Sequence, residues 1–302
     1  MLVAEVTAHG APDVLRLAER PDPPPGPGEV VVRIRAANVN PTDVAVRSGN
    51  HPRSPQPPFV PGWDLAGEVI AVGDGADGFA PGERVVGMIP WGRIGGRVGA
   101  YAQLAAVEPA WLAPLGRGVD ATTAATLPLN ALTARQALDL IAAPPGSTLL
   151  ITGASGAVGG FATQLAARDG HRVLAQASTG DEDWVASLGP AQVIPRSADL
   201  ATIGPVDAVL DAVPLGPAST ASLRDGGTAV FTRPPGAEPD RDVRFETILV
   251  QTDPANLRAL AADLAAGRLR TRIAEVLPLA QAARAHERNE AGGLRGKVVL
   301  AP

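Results

Sequence analysis

The glycine-rich stretch ITGASGAVGG at residues 151–160 constrains the fold of this chain more than any other feature. Its glycines Gly153, Gly156 and Gly159 are spaced three residues apart. The preceding STLL has the apolar character of a buried strand, and the FATQLAA that follows is typical of a helix. A glycine turn between a strand and a helix lets backbone N–H groups approach a phosphate closely. We therefore interpret it as a pyrophosphate-binding turn rather than one that only packs helix against strand.

Strands and helices alternate along the chain after this turn. The predicted strands are RVLAQAS, AQVI, VDAVLDAV and GTAVFT, and the predicted helices are DEDWVASLG and DPANLRALAADLAAG. Such alternation is typical of a parallel sheet with helices on both faces. We therefore predict an α/β fold class with a doubly wound parallel sheet, which forms a dinucleotide-binding domain over residues 118–272.

The chain on either side of that domain has a different pattern. GEVVVRIRAANV alternates apolar and polar residues, GEVIAVG and GERVVGMI are strand-like, and the tail ends in KVVLAP. The region up to about residue 115 is predicted to be β-rich with little helix, and the tail from about residue 273 is β-like again. We predict that residues 1–117 and 273–302 form one domain, into which the α/β domain is inserted.

Composition and charge argue against several function classes. The formal net charge is −5, which argues against a nucleic-acid-binding surface. The chain has no cysteine, which excludes disulfides, thiolate nucleophiles and cysteine-ligated zinc, and its four histidines lack metal-binding spacing. The sequence does not open on a basic region followed by an apolar core, and no apolar run reaches the length of a membrane span. We expect a cytoplasmic protein with neither a metal site nor a membrane partner.

The cofactor-binding residues are predicted from the turn and from the end of the next strand. We expect the pyrophosphate to lie against Gly153, Ser155, Gly156, Ala157, Val158 and Gly159. An NAD-specific site carries an acidic residue about 20 positions after the turn, whereas this strand ends in LAQAST. We predict that Ser178, Thr179 and Arg196 bind a 2′-phosphate. The acidic residues 181–183 act against this binding, because their negative charges repel the phosphate. We favour NADPH and leave NADH open.

Seven motifs occur in order along the chain: AANVNPTDVAVRSG (36–49), VPGWDLAGEVIAVG (60–73), PGERVVG (81–87), GAYAQL (99–104), AATLPLNALTA (124–134), ITGASGAVG (151–159) and GKVVL (296–300). Together they resemble the zinc-free quinone oxidoreductase branch of the medium-chain dehydrogenase/reductases, which includes zeta-crystallin. The resemblance covers nearly the whole chain and implies a Rossmann domain inserted into a GroES-like substrate domain. It also implies hydride transfer from a nicotinamide to a quinone or an α,β-unsaturated carbonyl. A homodimer that pairs through the segment VRFETILVQTD is expected as well.

The resemblance also assigns roles to single residues. Zinc-dependent relatives carry a cysteine where this chain has Asn40, and His-Glu where it has Trp63 and Asp64, which implies a reductase without metal. Asn40 is implied as the hydrogen-bond donor to the acceptor's oxygen, and a purely structural role at a strand end stays open. Thr133 is implied to lie near the cofactor. We interpret Asp43 as structural, because its carboxylate can satisfy nearby backbone N–H groups.

Two other functions stay open. Enoyl-thioester reduction is a related chemistry of the same superfamily, and a dinucleotide-binding protein with a crystallin-like or regulatory role would need no turnover. The short-chain dehydrogenase mechanism is excluded, because it needs a YxxxK dyad and Tyr101 and Lys297 are the only tyrosine and lysine. Asp181 stands where the resemblance implies a phosphate-binding lysine, which weakens the preference for NADPH.

Overall fold

The computed structural model describes residues 1–237 and 242–302. The strands are β1 (Leu2–Val6), β2 (Leu15–Glu19), β3 (Val30–Asn38), β4 (Asp64–Val72), β5 (Arg84–Met88), β6 (Leu104–Val107), β7 (Leu112–Pro114), β8 (Thr148–Thr152), β9 (Arg172–Ala177), β10 (Gln192–Pro195), β11 (Val206–Asp211), β12 (Leu223–Phe231), β13 (Arg244–Thr247), β14 (Ile273–Pro278) and β15 (Lys297–Ala301). The α-helices are α1 (Pro41–Ser48), α2 (Ala121–Ala125), α3 (Pro128–Ile141), α4 (Ala157–Arg168), α5 (Glu182–Ala186), α6 (Pro254–Ala265) and α7 (Ala282–Ala291). The chain divides into unit 1, Met1–Leu129 with Thr252–Pro302, and unit 2, Asn130–Gln251.

Unit 1 is built on a seven-stranded sheet with the path β14–β15–β3–β4–β5–β7, and β6 pairs with the first half of β3. Neighbouring strands are antiparallel except for β14 and β15, which are parallel. The alternation predicted for β3 is confirmed, because Val32 and Ile34 are buried while Arg33 and Arg35 are exposed. The buried side chains of these strands form one apolar core.

Two helices of unit 1 lie within stretches that the pattern predicted as β-rich. In α1, Pro41 occupies the first helical position, where a missing N–H costs no hydrogen bond. Asn40 is the N-cap residue, and its backbone N–H donates to Asp43 Oδ2 at 2.8 Å. Gly49 ends the helix in a left-handed conformation, with φ of 82°. The second helix, α7, packs against β15 and α1. Helix α1, with its local caps, is the one α-helix of residues 1–117, and α7 lies in the tail, which the pattern predicted only as β-like.

Unit 2 contains a sheet of six strands in the order β10–β9–β8–β11–β12–β13, all parallel. The chain enters at β8, winds outward to β10, and returns to β11 on the other side of β8. This order has its switch point between β8 and β11, where such folds bind ligands at the carboxyl ends of the strands. The prediction of a doubly wound parallel sheet is confirmed.

The two units divide the chain at different positions from the predicted domain boundaries, 117/118 and 272/273. Helix α2 packs against β3 and β4, and α6 packs against β7, so both helices cluster with unit 1. The apolar side chains Leu257, Leu260 and Leu264 of α6 are buried, which is the physical reason that this helix packs on its neighbour.

Within the described ranges, no helix combines the length and apolar character needed to cross a bilayer.

Candidate active site

The glycine-rich turn joins β8 to α4 at the switch point of the unit 2 sheet. Gly153 follows β8 with φ of 63°, a left-handed conformation that glycine adopts without strain. Gly156 is the exposed N-cap residue of α4, and the half-buried Ala157 and Val158 open the helix. Because Ala157 already lies in the helix, its Cβ is tolerated at this position of the turn.

Close packing of the turn explains two of its glycines. A Cβ added at Gly159 would overlap the carbonyl oxygen of Gly153, and one added at Gly153 would overlap the side chain of Val213. A Cβ at Gly156 would meet the Gly153 oxygen at 3.3 Å, which is tight but tolerable. The amino end of a helix carries N–H groups without intrahelical acceptors, and its dipole favours negative charge. These features of the turn fit a pyrophosphate group.

Asp211, which the sequence analysis did not single out, ends β11 on the other side of the switch point. Thr152 Oγ1 donates to Asp211 Oδ1 at 2.6 Å, and the Gly216 N–H donates to Asp211 Oδ2 at 2.9 Å. Burial raises the pKa of the Asp211 carboxyl, and these hydrogen bonds act in the opposite sense. The side chain ties the loop 212–216 to the end of β8. A carboxylate that ends the apolar run VDAVLD was the available sequence signal.

The predicted 2′-phosphate residues follow β9 and β10. These two strands are adjacent and parallel and end in register, so Ser178 and Arg196 emerge at the same edge of the sheet. The Ser178 N–H donates to Ser155 Oγ of the glycine turn at 2.9 Å. Thr179 and Arg196 are exposed. The fold therefore brings the predicted 2′-phosphate residues to the edge that carries the turn.

The acidic run after Ser178 is partly engaged with its own segment. Asp181 is buried and is the N-cap residue of α5. Glu182 Oε2 accepts the Gly180 N–H at 2.7 Å, whereas Asp183 is exposed. Because solvent and salt screen exposed charges, Asp183 opposes a nearby phosphate less than its formal charge suggests.

A buried polar cluster in unit 1 surrounds Asn40. Asn40 Oδ1 accepts hydrogen bonds from Lys297 Nζ at 3.0 Å and Asn38 Nδ2 at 2.8 Å, and Asn40 Nδ2 donates to Asp64 Oδ2 at 2.8 Å. Asn38 Nδ2 also donates to Asp64 Oδ2 at 3.0 Å, and Asp64 Oδ1 accepts the Leu129 N–H at 2.8 Å. Asn38, Asn40 and Asp64 have no exposed surface, and Lys297 is 9% exposed. We name these four side chains the Asn40 cluster.

Sheet pairing assembles the Asn40 cluster from distant parts of the sequence. Asn38 ends β3, Asp64 begins β4 and Lys297 begins β15, and both β4 and β15 pair with the end of β3. Asn40 follows as the N-cap residue of α1. Sequence reasoning proposed Asn40 and compared the Asp64 position with zinc-dependent relatives, but it did not connect either residue with Lys297.

The cluster and the adjacent Asp43 contain three titratable groups whose pKa values are shifted by burial. Burial raises the pKa of Asp64 to about 6 and that of Asp43 to about 8, and lowers the pKa of Lys297 to about 8. Near pH 7 the Asp64 carboxylate and the Lys297 ammonium are therefore charged, while Asp43 holds its proton. One buried anion then balances one buried cation, which avoids an uncompensated charge.

The protonation of Asp43 predicts a pH dependence of stability. Between pH about 6.5 and about 8, folded Asp43 keeps a proton that the unfolded chain, with a pKa of 3.8, has released. The free energy of unfolding should therefore fall as pH rises through this window, by up to about 1.4 kcal/mol per pH unit. Near pH 7, in the middle of this window, Asp64 is mostly ionised and Lys297 mostly protonated in both states, so Asp43 dominates the slope there. Toward pH 8 the loss of the Lys297 proton from the folded state acts in the opposite sense. The measurement is urea unfolding across the window, and Asp43→Asn should remove the slope. An unchanged slope in Asp43→Asn would contradict the assignment.

The Asn40 cluster does not fit a zinc ion. The Lys297 ammonium already donates to Asn40 Oδ1, so a protein cation lies where a metal would need electron pairs. The Trp63 indole N–H is a donor only and supplies no ligand atom. Among the described residues, no group of three or more His, Cys, Asp or Glu side chains is arranged to hold a metal. The donor set therefore suits an internal ammonium and not a metal.

The other predicted catalytic residue, Thr133, lies on α3 in unit 2. Its side chain is 7% exposed, and Asn130, one turn earlier, is 4% exposed. Both side chains are therefore buried. A place for Thr133 near the cofactor stays a prediction.

Comparisons with known proteins agree with this architecture. Residues 26–117 match the alcohol dehydrogenase GroES-like domain, and residues 188–300 match a family described as zinc-binding dehydrogenase. The chain is 30% identical over 313 residues to the chloroplastic quinone-oxidoreductase QR1 of Triphysaria versicolor, covering 95% of this chain and 94% of that protein. It is 30% identical over 306 residues to the 2-methylene-furan-3-one reductase of Solanum lycopersicum, covering 98% of this chain and 78% of that protein.

A solved structure gives the same result. The quinone oxidoreductase from Coxiella burnetii superposes with a TM-score of 0.90 at 28% identity, over 100% of this chain and 99% of that one. The two sequence relatives and this structure match over most of their own lengths as well as most of this chain. With its GroES-like segment and its doubly wound dinucleotide-type sheet, this chain belongs to the quinone oxidoreductase branch of the medium-chain dehydrogenase/reductase superfamily and is an oxidoreductase.

Proposed function

We propose that the protein reduces a quinone or an α,β-unsaturated carbonyl compound with NADPH. The observation that carries this proposal is the glycine turn at the switch point of the parallel sheet, whose geometry fits a dinucleotide pyrophosphate. Two relatives named for the reduction of a quinone and of a furanone support the acceptor class.

The cofactor is held by unit 2 in this proposal. Bound NADPH supplies a hydride from C4 of its nicotinamide. Backbone N–H groups of residues 153–159 bind the pyrophosphate, and the amino end of α4 offsets its charge. Ser178, Thr179 and Arg196 bind the 2′-phosphate at the edge where β9 and β10 end. An exposed arginine suits this role, because guanidinium groups recognise phosphate oxygens in pairs.

Acceptor activation is assigned to Asn40, with Thr133 near the cofactor. Quinones and enones are already electrophilic, so they need positioning and a hydrogen bond to the oxygen that gains charge. The Asn40 amide lies between a cation and an anion, so its orientation is set before an acceptor arrives. Because Asn40 is fully buried in this structure, the acceptor reaches it only after the residues that cover it move.

The proposal is tested by following NADPH oxidation with three acceptors: a small quinone, a cyclic enone and an enoyl thioester. Turnover of the quinone or the enone is the expected result. Turnover of the thioester alone would replace the proposal with enoyl-thioester reduction. Tight NADPH binding without turnover of any acceptor would favour a non-catalytic dinucleotide-binding role. A parallel titration with NADH compares the two cofactors directly.

Arg196→Ala is expected to shift the preference between NADPH and NADH. A charge-assisted hydrogen bond to the 2′-phosphate contributes roughly 1.5–3 kcal/mol, or about 10- to 150-fold in affinity. The affinity for NADPH should fall by that factor, and the affinity for NADH should not change. Arg172→Ala is the matched control, because Arg172 is an exposed arginine at the opposite end of β9. Equal loss for both cofactors would show that Arg196 does not contact the 2′-phosphate.

We also propose that the protein is a cytoplasmic homodimer. Strand β13 lies at the edge of the unit 2 sheet, and its residues Arg244, Glu246 and Thr247 are exposed. Leu249, just after the strand, is 60% exposed. An edge strand with an exposed apolar residue beside it is readily paired with a second copy across a two-fold axis. Light scattering should give a dimer mass, and Leu249→Glu should lower it. A monomer mass for the wild type would contradict this proposal.

A further inference from the structure

Lys297 is the only lysine of the chain, and it is buried at the start of β15. Taking an ammonium out of water is costly unless its partners compensate. Its ammonium donates a hydrogen bond to Asn40 Oδ1 at 3.0 Å. The reaction proposed above assigns a role to Asn40 but none to this cation.

We propose that Lys297 is a positioning residue for the reduction: together with Asp64, its ammonium holds the Asn40 amide in one orientation and polarises it toward hydrogen-bond donation. This inference rests on the proposed function of Asn40 as donor to the acceptor's oxygen. It deepens that function by naming the residue through which the donor is controlled.

Three hydrogen bonds of the Asn40 amide specify the same orientation. The carbonyl oxygen faces two donors, Lys297 Nζ and Asn38 Nδ2, and the amide nitrogen faces the carboxylate of Asp64. Rotating the amide by a half turn would place its NH₂ group against an ammonium and another NH₂ group. The same rotation would place its oxygen against a carboxylate. Because ammonium groups only donate and carboxylates only accept, the rotated amide is excluded.

The ammonium also changes the strength of the amide as a donor. A cation on the carbonyl oxygen draws electron density from the amide nitrogen, which strengthens its N–H groups as donors. The effect matters most in the transition state, where hydride transfer places negative charge on the acceptor's oxygen. Loss of the ammonium should therefore lower kcat more than it raises KM.

Two carboxyl groups, Asp64 from β4 and Asp43 from α1, act on the charge of Lys297 and favour its protonated form. Burial lowers the Lys297 pKa to about 8, against the opposing effect of these two carboxyl groups. The positive charge is therefore lost as pH rises through about 8, and kcat should fall along an alkaline limb there. Asp43 also titrates at about 8, so its contribution must be separated.

The experiment combines kinetics with NMR on the full-length protein. Isotopically labelled lysine gives a single side-chain signal, because the chain has one lysine. Its titration should give a pKa near that of the alkaline limb of kcat in the wild type. Lys297→Met should lower kcat about 10-fold with KM and the NADPH Kd nearly unchanged, and it should remove the limb. Asp43→Asn should retain the limb.

Arg47→Met is the matched control for the loss of a buried cation. Arg47 is 1% exposed and pairs with Glu290 at 2.6 Å, outside the Asn40 cluster. The kcat of Arg47→Met should equal that of the wild type. If Lys297→Met does not fold, the wild-type comparison decides alone: a titrating lysine signal without a matching limb overturns the inference.

The outcomes separate this inference from the proposed function. A wild type that turns over an acceptor while Lys297→Met keeps both kcat and the limb overturns the inference and leaves the function intact. A limb that disappears in Asp43→Asn also overturns it. Failure of the wild type to turn over any acceptor overturns the proposed function, and the inference fails with it.

Discussion

Replacing Gly156 by aspartate is expected to weaken NADPH binding by about 100-fold or more while the chain stays folded. The new carboxylate would stand at the amino end of α4, where the pyrophosphate is proposed to bind. Two like charges about 5 Å apart in a partly buried site repel by about 3 kcal/mol, which accounts for a loss of this size. Titration of NADPH followed by fluorescence measures the affinity.

The same substitution should not destabilise the protein without cofactor. Gly156 has φ of −84° and ψ of 175°, an extended conformation that any residue adopts. Aspartate is a favoured N-cap residue and its charge suits the helix dipole, so the melting temperature should be unchanged or higher. Folding and binding are thus expected to change in opposite directions.

Gly156→Asn is the matched control, because it adds a side chain of the same size without the charge. Its Cβ meets the Gly153 oxygen at the same 3.3 Å, so any steric effect is shared by both variants. Binding by Gly156→Asn should stay within about 10-fold of the wild type, since no full charge faces the phosphate. Equal losses in both variants would show that space, and not phosphate charge, sets the requirement for glycine.

Replacing Asp64 by leucine should lower the free energy of unfolding by about 3–5 kcal/mol, because it leaves the Lys297 ammonium buried without its anion. The variant also removes an acceptor from Asn38, Asn40 and the Leu129 N–H. Urea unfolding at pH 7 measures the loss. Near this pH both partners of the pair are charged, so the full interaction is present.

The double variant Asp64→Leu with Lys297→Met isolates the charge term. Removing both charges leaves no uncompensated ion, so the double variant should be more stable than the sum of the two single losses predicts. Part of the loss should persist, because the buried amide donors of Asn38 and Asn40 still lack their acceptor. Additive losses, within about 0.5 kcal/mol, would show that the two residues do not interact.

The parallel sheet and the strand–glycine turn–helix unit were both predicted from the sequence. Both predictions rest on local patterns. These are the spacing of the glycines, the buried strand before them, and the alternation of strand-like and helix-like segments after them. The positive φ of Gly153 and the close approach of Gly159 to Gly153 are the physical reasons for those glycines. The end of β9 and the start of α5 could also be predicted from the sequence, because helix caps and strand ends depend on neighbouring residues.

Some local signals were present but outweighed in the sequence prediction. Helix α1 has its cap and its Pro41 written in NPTD, yet the strand-like residues around it dominated the pattern. Helix α6 was predicted as a helix within residues 118–272, and by its contacts it clusters with unit 1. Its partner β7 is distant in sequence, and no periodicity states which surface a helix packs against.

The Asn40 cluster depends on tertiary contacts that no local pattern of the chain predicts. Lys297 and Asn40 are 257 residues apart in the sequence and meet because β15 pairs with the end of β3. A lone lysine in a strand normally points to solvent, so its type and position gave no indication of burial. The shifted pKa values, the fixed amide and the internal cation all follow from desolvation at that meeting point. Desolvation is a property of the packed fold and has no local pattern in the chain.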